Sequence, residues 1–63
     1  MNTIGQQIYE YRKRNEMSQQ AFAELIGVTR SYLVEIENGN RTPGTITKMA
    51  IAKVIAEEFM KKD

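Results

Sequence analysis

The sequence predicts an all-α fold, and the spacing of its apolar residues together with its capping residues carries that prediction. Apolar side chains recur at three- and four-residue steps in segments 3–15, 19–26, 30–38 and 45–61. Threonine opens the first segment, and serine or threonine directly precedes the second and third, where a hydroxyl can cap a helix. Because the chain has only 63 residues, we expect these helices to form one domain over residues 1–63.

The segment from Met17 to Pro43 organises this fold as two short helices joined by a tight turn. Ser18 and Thr29 are the N-cap candidates, and Gly27 supplies the left-handed residue that ends the first helix. The expected core residues are Phe22, Leu25, Ile26, Leu33 and Ile36. Two such helices form a helix-turn-helix over residues 18–38, a unit that presents its second helix to the DNA major groove.

The same segment resembles the core of the Cro/lambda-repressor-like (Xre-type) helix-turn-helix regulators. The matching runs are Ser18-Gln19, Phe22-Ala23, Gly27-Val28-Thr29, Tyr32-Leu33, Ile36-Glu37-Asn38-Gly39 and Arg41-Thr42-Pro43. With the flanking helices, the resemblance covers about Ile4 to Ile55. It implies a compact orthogonal bundle of four to five helices, and a cytoplasmic DNA-binding regulator encoded by a prokaryote or a phage.

Composition argues against several other classes of protein. The chain has no cysteine and no histidine, so disulfides are excluded and a metal site would need carboxylates alone. No apolar run approaches the roughly 20 residues of a membrane span, and the start lacks a signal peptide. The net charge of +1 does not by itself indicate a polyanionic partner. We expect no cofactor, no metal, no membrane partner and no small-molecule ligand.

Arg12 lies at the edge of the apolar side of the first predicted helix, which carries Ile4, Ile8 and Tyr11. From the pattern alone, Arg12 could be a surface arginine with its stem packed and its head in water. The family resemblance implies instead a partly buried ion pair between Arg12 and Glu37. We expect that pair to brace the helix-turn-helix.

The outward side of the third helix carries the candidate base-contacting residues, which are Arg30, Ser31, Val34 and Glu35. Arg30 can donate two hydrogen bonds to guanine, and Ser31 can bond to several base edges. Glu35 can accept from cytosine or hold Arg30 in place. Val34 contacts a thymine methyl group or packs against Tyr32. The resemblance assigns base contacts to Arg30, Ser31 and Glu35.

Polar residues at the helix ends are candidates for phosphate contacts, which position a protein on DNA without reading its sequence. They are Gln19, Asn38, Asn40 and Arg41. Gln19 opens the second helix, where free backbone N–H groups favour an anion. Gln19 as a helix-start residue and Asn38 as a C-cap have structural roles too, and these do not exclude DNA contact.

The segment after Thr45 departs from the family pattern. Relatives usually have a Leu-Gly-Val break between a fourth and a fifth helix, whereas Ile55-Ala56-Glu57-Glu58 contains no helix breaker. Either the preceding loop is adjusted by one residue or the two helices are fused. Apolar residues occur on several sides of this segment, which favours burial against a second copy of the chain. Val54, Phe59 and Met60 are the candidate dimerisation residues.

Three functions from different classes follow from these patterns. The leading hypothesis is a homodimeric, sequence-specific transcriptional regulator that binds a pseudo-palindromic operator as a Cro-like repressor or controller protein. The second is a protein-interaction module, such as an antitoxin-type helix-turn-helix whose main partner is another protein. An enzyme is disfavoured, because the sequence has no catalytic histidine or cysteine, no Ser-x-x-Lys arrangement and no glycine-rich phosphate loop.

Overall fold

The computed structural model describes residues 3–60, which form four α-helices and no strand. They are α1 (Ile4–Arg14), α2 (Gln19–Ile26), α3 (Arg30–Glu37) and α4 (Thr45–Met60). The all-α prediction is confirmed, and α1 to α3 lie within the predicted segments. Residues 1, 2 and 61–63 of the predicted domain, including the last residue of segment 45–61, lie outside the described residues.

The first three helices are capped as their sequences predict. Each capping hydroxyl accepts a hydrogen bond from a backbone N–H three residues later, at 3.0–3.1 Å: Thr3 from Gln6, Ser18 from Ala21, and Thr29 from Tyr32. Helix α2 ends at Gly27, which has a φ of 78°. A residue without a Cβ adopts this left-handed conformation at little cost. These local signals therefore fix where α2 and α3 begin.

Helix α4 is a single helix of 16 residues, so residues 3–60 show the four-helix variant with the last two helices fused. The reason is local, since the segment Ile55–Glu58 offers neither glycine nor proline to end the helix. No helix in the described part of the chain is both long and apolar enough to cross a membrane.

The core is small and draws on all four helices. Its buried members are Ile8, Phe22, Ala23, Leu33, Ile36 and Ile51. The ring of Tyr11 packs edge-on against Phe22, with 5.6 Å between ring centroids. The prediction that Leu25 belongs to the core is wrong, because its side chain is 52% exposed. Helix α2 buries the arc that carries Phe22, Ala23 and Ile26, and Leu25 lies outside that arc.

Helix α1 crosses closely over the end of α3, and Gly5 permits the approach. A Cβ built on Gly5 would lie 2.5 Å from the carbonyl oxygen of Ile36 and 2.8 Å from that of Glu37. Both oxygens belong to backbone, which cannot rotate away as a side chain can. The sequence analysis did not identify this glycine, since its isolated position in a helical pattern gives no sign of what it faces.

Arg12 and Glu37 form a buried ion pair between α1 and α3. Arg12 donates from Nε to Oε2 of Glu37 at 2.7 Å and from Nη2 to Oε1 at 3.0 Å. Its Nη1 donates to the carbonyl oxygen of Met17 at 3.1 Å. Both side chains are less than a tenth exposed. The pair thus joins α1, the segment before α2 and the C-terminal end of α3.

A second ion pair, on the surface, joins α1 to the end of α4. Arg14 donates to both carboxylate oxygens of Glu58, at 2.6 and 3.3 Å. Asn15 adds a bond from Nδ2 at 3.0 Å. The hydrogen bond from Arg14 lowers the pKa of Glu58, and the bond from Asn15 acts in the same direction. These contacts hold α4 against α1.

Replacing Gly5 by alanine is expected to destabilise the fold. Alanine has the higher helix propensity, by up to about 1 kcal/mol, but overpacking typically costs about 1–3 kcal/mol, and the approach to two backbone oxygens is close enough that we expect a net loss of stability. Gly44→Ala is the matched control, because a Cβ at Gly44 meets nothing within 4 Å. Urea unfolding should show a lower midpoint for G5A only. Equal midpoints for both variants would contradict the close crossing.

Breaking the buried ion pair is expected to cost more than removing an exposed charge. Glu37→Gln leaves Arg12 buried without a counter-ion, which typically costs about 3–5 kcal/mol. Glu57→Gln, at an exposed site on α4, should change stability by less than about 0.5 kcal/mol. The double variant Arg12→Met/Glu37→Leu should recover most of the loss in thermal unfolding. A melting temperature for E37Q as high as that of E57Q would refute the bracing role.

Candidate nucleic-acid interface

Helix α3 is anchored so that one side remains open to solvent. Leu33 and Ile36 are buried against α1 and α2, and Thr29 caps the first turn. Of the four predicted base-contacting residues, Arg30 and Ser31 are exposed, whereas Val34 and Glu35 are half-buried. All four therefore reach the surface, and the most open pair lies at the N-terminal end of the helix.

Arg30 differs from the other three arginines in having no partner among residues 3–60. The other three each pair with a glutamate: Arg12 with Glu37, Arg14 with Glu58, and Arg41 with Glu35. Within residues 3–60, Arg30 forms neither a hydrogen bond nor an ion pair. Its five N–H donors are thus available to an acceptor outside the chain.

Glu35 contacts Arg41, and not Arg30 as one sequence-based alternative had it. Arg41 donates from Nε to Oε1 of Glu35 at 2.6 Å. This bond raises the pKa of Arg41. The guanidinium carbon of Arg41 also lies 5.3 Å from the centre of the Tyr32 ring. A carboxylate on the outward side of α3 is therefore neutralised by an arginine from the following loop.

Two predicted phosphate-contacting residues, Gln19 and Asn38, line one cleft of about 450 Å³. Its other lining residues are Thr3, Gly5, Gln6, Tyr9, Arg12 and Glu37. Gln19 donates from Nε2 to Oε1 of Glu37 at 3.4 Å, so the buried ion pair also orients Gln19. The cleft joins the start of α2 to the end of α3.

Asn38 and Asn40 complete the end of α3 with their backbone. The N–H of Asn38 donates to the carbonyl oxygen of Val34 at 3.0 Å, and that of Asn40 to the carbonyl of Glu35 at 2.9 Å. Both side chains are exposed. The C-capping role of Asn38 therefore leaves its amide group open to solvent.

The predicted dimerisation residues divide into two environments. Val54 is half-buried and packs against the core, whereas Phe59 and Met60 are 65% and 79% exposed. Two further apolar residues of α4, Ile46 and Met49, are also exposed. Neither residue is among the predicted dimerisation residues, and their place on a helix with apolar residues on several sides is the sequence signal that could have identified them.

A groove of about 350 Å³ lies beside Phe59, between α1 and α4. Its lining is mostly apolar: Ile4, Gln7, Lys48, Ile51, Ala52, Ile55, Ala56 and Phe59. Of the exposed apolar residues of α4, Phe59 lines this groove, whereas Ile46, Met49 and Met60 are not part of its lining.

Comparison with protein families matches residues 8–59 to the helix-turn-helix family. This range covers α2, α3 and the ion-pair partners, together with most of α1 and α4. No solved structure matches the chain significantly.

Individual relatives carry the same description. An uncharacterized HTH-type transcriptional regulator of Methanothermobacter thermautotrophicus is 33% identical over 86% of this chain and 78% of its own length. A second one, from Bacillus subtilis, is 37% identical over 81% of this chain and 74% of its own length.

The immunity repressor protein of Bacillus phage phi105 is 38% identical over 97% of this chain, but the match spans only 48% of the repressor. The ImmF control region 10 kDa protein of the same phage is 38% identical over 82% of this chain and 58% of its own length. The chain thus spans about half the length of these two phage proteins. With the family match over most of its residues, this chain belongs to the Xre/Cro-like helix-turn-helix family of DNA-binding transcriptional regulators.

Proposed function

We propose that this protein binds double-stranded DNA sequence-specifically, with the N-terminal part of α3 in the major groove. The observation that carries the proposal is the free guanidinium of Arg30 on the first turn of α3, in a chain whose other arginines are all paired. In this docking mode the first turn of the second helix meets the base edges. Arginine bonded to guanine O6 and N7 is the commonest specific contact.

The neighbouring residues suit the same docking. Ser31 is exposed one residue further on and can bond to either donors or acceptors of a base. Val34 and Glu35 lie about one turn later, within reach of a thymine methyl group and of cytosine N4. Gln19 lies beside the C-terminal end of α3, where it lines the same cleft as Glu37 and Asn38.

Phosphate contacts on both sides of α3 would fix its register on the duplex. We assign them to the predicted residues Gln19, Asn38, Asn40 and Arg41, of which the last three have exposed side chains. Because the chain is nearly neutral, affinity depends on these few contacts more than on a broad positive field.

We further propose that the protein binds as a homodimer formed through α4. Exposed Phe59 and Met60, with Ile46 and Met49, supply apolar surface on α4, and we assign half-buried Val54 to the same interface. A two-fold dimer would read a pseudo-palindromic operator whose half-sites lie about 34 Å apart, one helical turn of DNA. The same surface could instead bind another protein, as expected of an antitoxin-type module.

The regulatory outcome that fits best is repression. A small domain that covers its operator excludes other proteins from the same DNA, and one relative is an immunity repressor protein. Such a regulator would act in the cytoplasm of a prokaryotic cell, where the DNA is. Binding and release of DNA require no covalent chemistry, which agrees with the absence of catalytic histidine and cysteine from the sequence.

Arg30→Ala is expected to lower affinity for the selected operator roughly 5- to 150-fold, since one bidentate arginine–guanine contact contributes about 1–3 kcal/mol. The operator is first selected from random duplex DNA, and affinity is then measured by fluorescence anisotropy. Lys53→Ala is the matched control, because it removes the same charge from exposed α4, which packs against α1 and α2. Unchanged affinity in R30A would refute the assigned role of α3.

Phe59→Glu is expected to shift the protein from dimer to monomer, because it places a charge in the apolar surface of α4. The side chain is exposed, so the fold should persist. Leu25→Glu, at an exposed apolar residue of α2, should leave the dimer intact. Sedimentation equilibrium over a range of concentrations gives the readout. A wild-type protein that stays monomeric at every concentration tested would contradict the dimer.

A further inference from the structure

We infer that Arg41 determines base selectivity by positioning Glu35, an inference that rests on the proposed DNA-binding function. Arg41 lies in the loop after α3 and would be expected only to contact phosphate. Its Nε–H is committed instead to Oε1 of Glu35, at 2.6 Å. Glu35 lies on the side of α3 that carries Ser31, one helical turn from it. An arginine of the loop is thereby bonded to a residue of the proposed base-contacting surface, which is formed by Arg30, Ser31, Val34 and Glu35.

The contacts around Arg41 restrict where its guanidinium can lie. The group sits over the ring of Tyr32, 5.3 Å from the centroid, while its Nε–H points to Glu35. Tyr32 is itself held, because its hydroxyl oxygen accepts a hydrogen bond from the N–H of Gly44 at 3.3 Å. The Tyr32 ring, the Arg41 guanidinium and the Glu35 carboxylate form one cluster, the Tyr32–Arg41–Glu35 cluster. Glu35 is the member that belongs to the proposed base-contacting surface.

Several hydrogen-bonding groups of the cluster remain available for contacts with DNA. Oε2 of Glu35 and both Nη groups of Arg41 make no hydrogen bond with any residue between 3 and 60. Oε2 can therefore accept from cytosine N4, and the Nη groups can donate to a phosphate oxygen. Arg41 also cancels the charge of a carboxylate that would otherwise repel the phosphates. The Arg41–Glu35 pair thus presents Oε2 of Glu35 as an oriented acceptor, with little repulsion between the carboxylate and the DNA phosphates.

A pure phosphate contact and a positioning residue predict different behaviour. If Arg41 only binds phosphate, its loss weakens binding to every sequence alike and reduces the salt slope by about one. If Arg41 positions Glu35, its loss removes the preference at the same base pair that Glu35 reads. Lysine separates the two roles, because it keeps the charge but has no N–H at the position from which Nε of Arg41 donates to Glu35, and no planar guanidinium beyond it.

The test measures affinity for the selected operator and for operators with single base-pair changes in each half-site, over a range of salt concentrations. The proteins compared are wild type, Glu35→Gln, Arg41→Ala, Arg41→Lys and the double variant Glu35→Gln/Arg41→Ala. We expect each of the four variants to lose about tenfold discrimination at one common base pair, with the double variant no worse than E35Q. R41K should lose this discrimination while keeping the wild-type salt slope.

Retention of the Glu35-dependent preference in R41A, with uniformly weaker binding, would overturn the inference and leave the proposed function standing. Failure of the wild type to select any site at low salt would overturn the proposed function and the inference together. Both residues are substantially exposed, so the variants are expected to fold, and circular dichroism melting curves verify this.

Discussion

The buried ion pair between Arg12 and Glu37 is the interaction on which the geometry of this protein depends. It joins residues 25 positions apart in sequence and connects α1, the segment before α2 and the end of α3. Both charges are nearly removed from water, so each requires the other and the orientation of both is fixed. Since Gln19 also bonds to Glu37, the start of α2 and the end of α3 are held in one arrangement.

Most of the arginines form ion pairs within the described part of the chain. Within residues 3–60, three of the four arginines are paired with glutamates and Arg30 on α3 is not, in a protein whose net charge is only +1. A protein of this kind gains little non-specific affinity from its overall field. In the proposed complex with DNA, selectivity comes from a few positioned groups, which are Arg30 and the Tyr32–Arg41–Glu35 cluster.

The single long helix α4 is packed against the rest of the fold but keeps several apolar residues exposed. Arg14 and Asn15 hold its C-terminal part against α1 through Glu58, and Ile51 anchors its middle in the core. A helix of this length cannot bury all of its apolar residues in so small a domain, so several remain exposed. The proposed dimer and the proposed DNA contacts therefore use different helices, α4 and α3.

The sequence by itself determined the features that depend on neighbours along the chain: the starts of α1, α2 and α3, their hydroxyl caps and the left-handed Gly27. The resemblance to a family supplied the Arg12–Glu37 pair. Only the tertiary structure decided that Gly5 clears two backbone oxygens, that Leu25 is exposed and that Glu35 pairs with Arg41. The reason is physical: capping and helix spacing act within one or two turns, whereas these features depend on which elements pack together and at what distance.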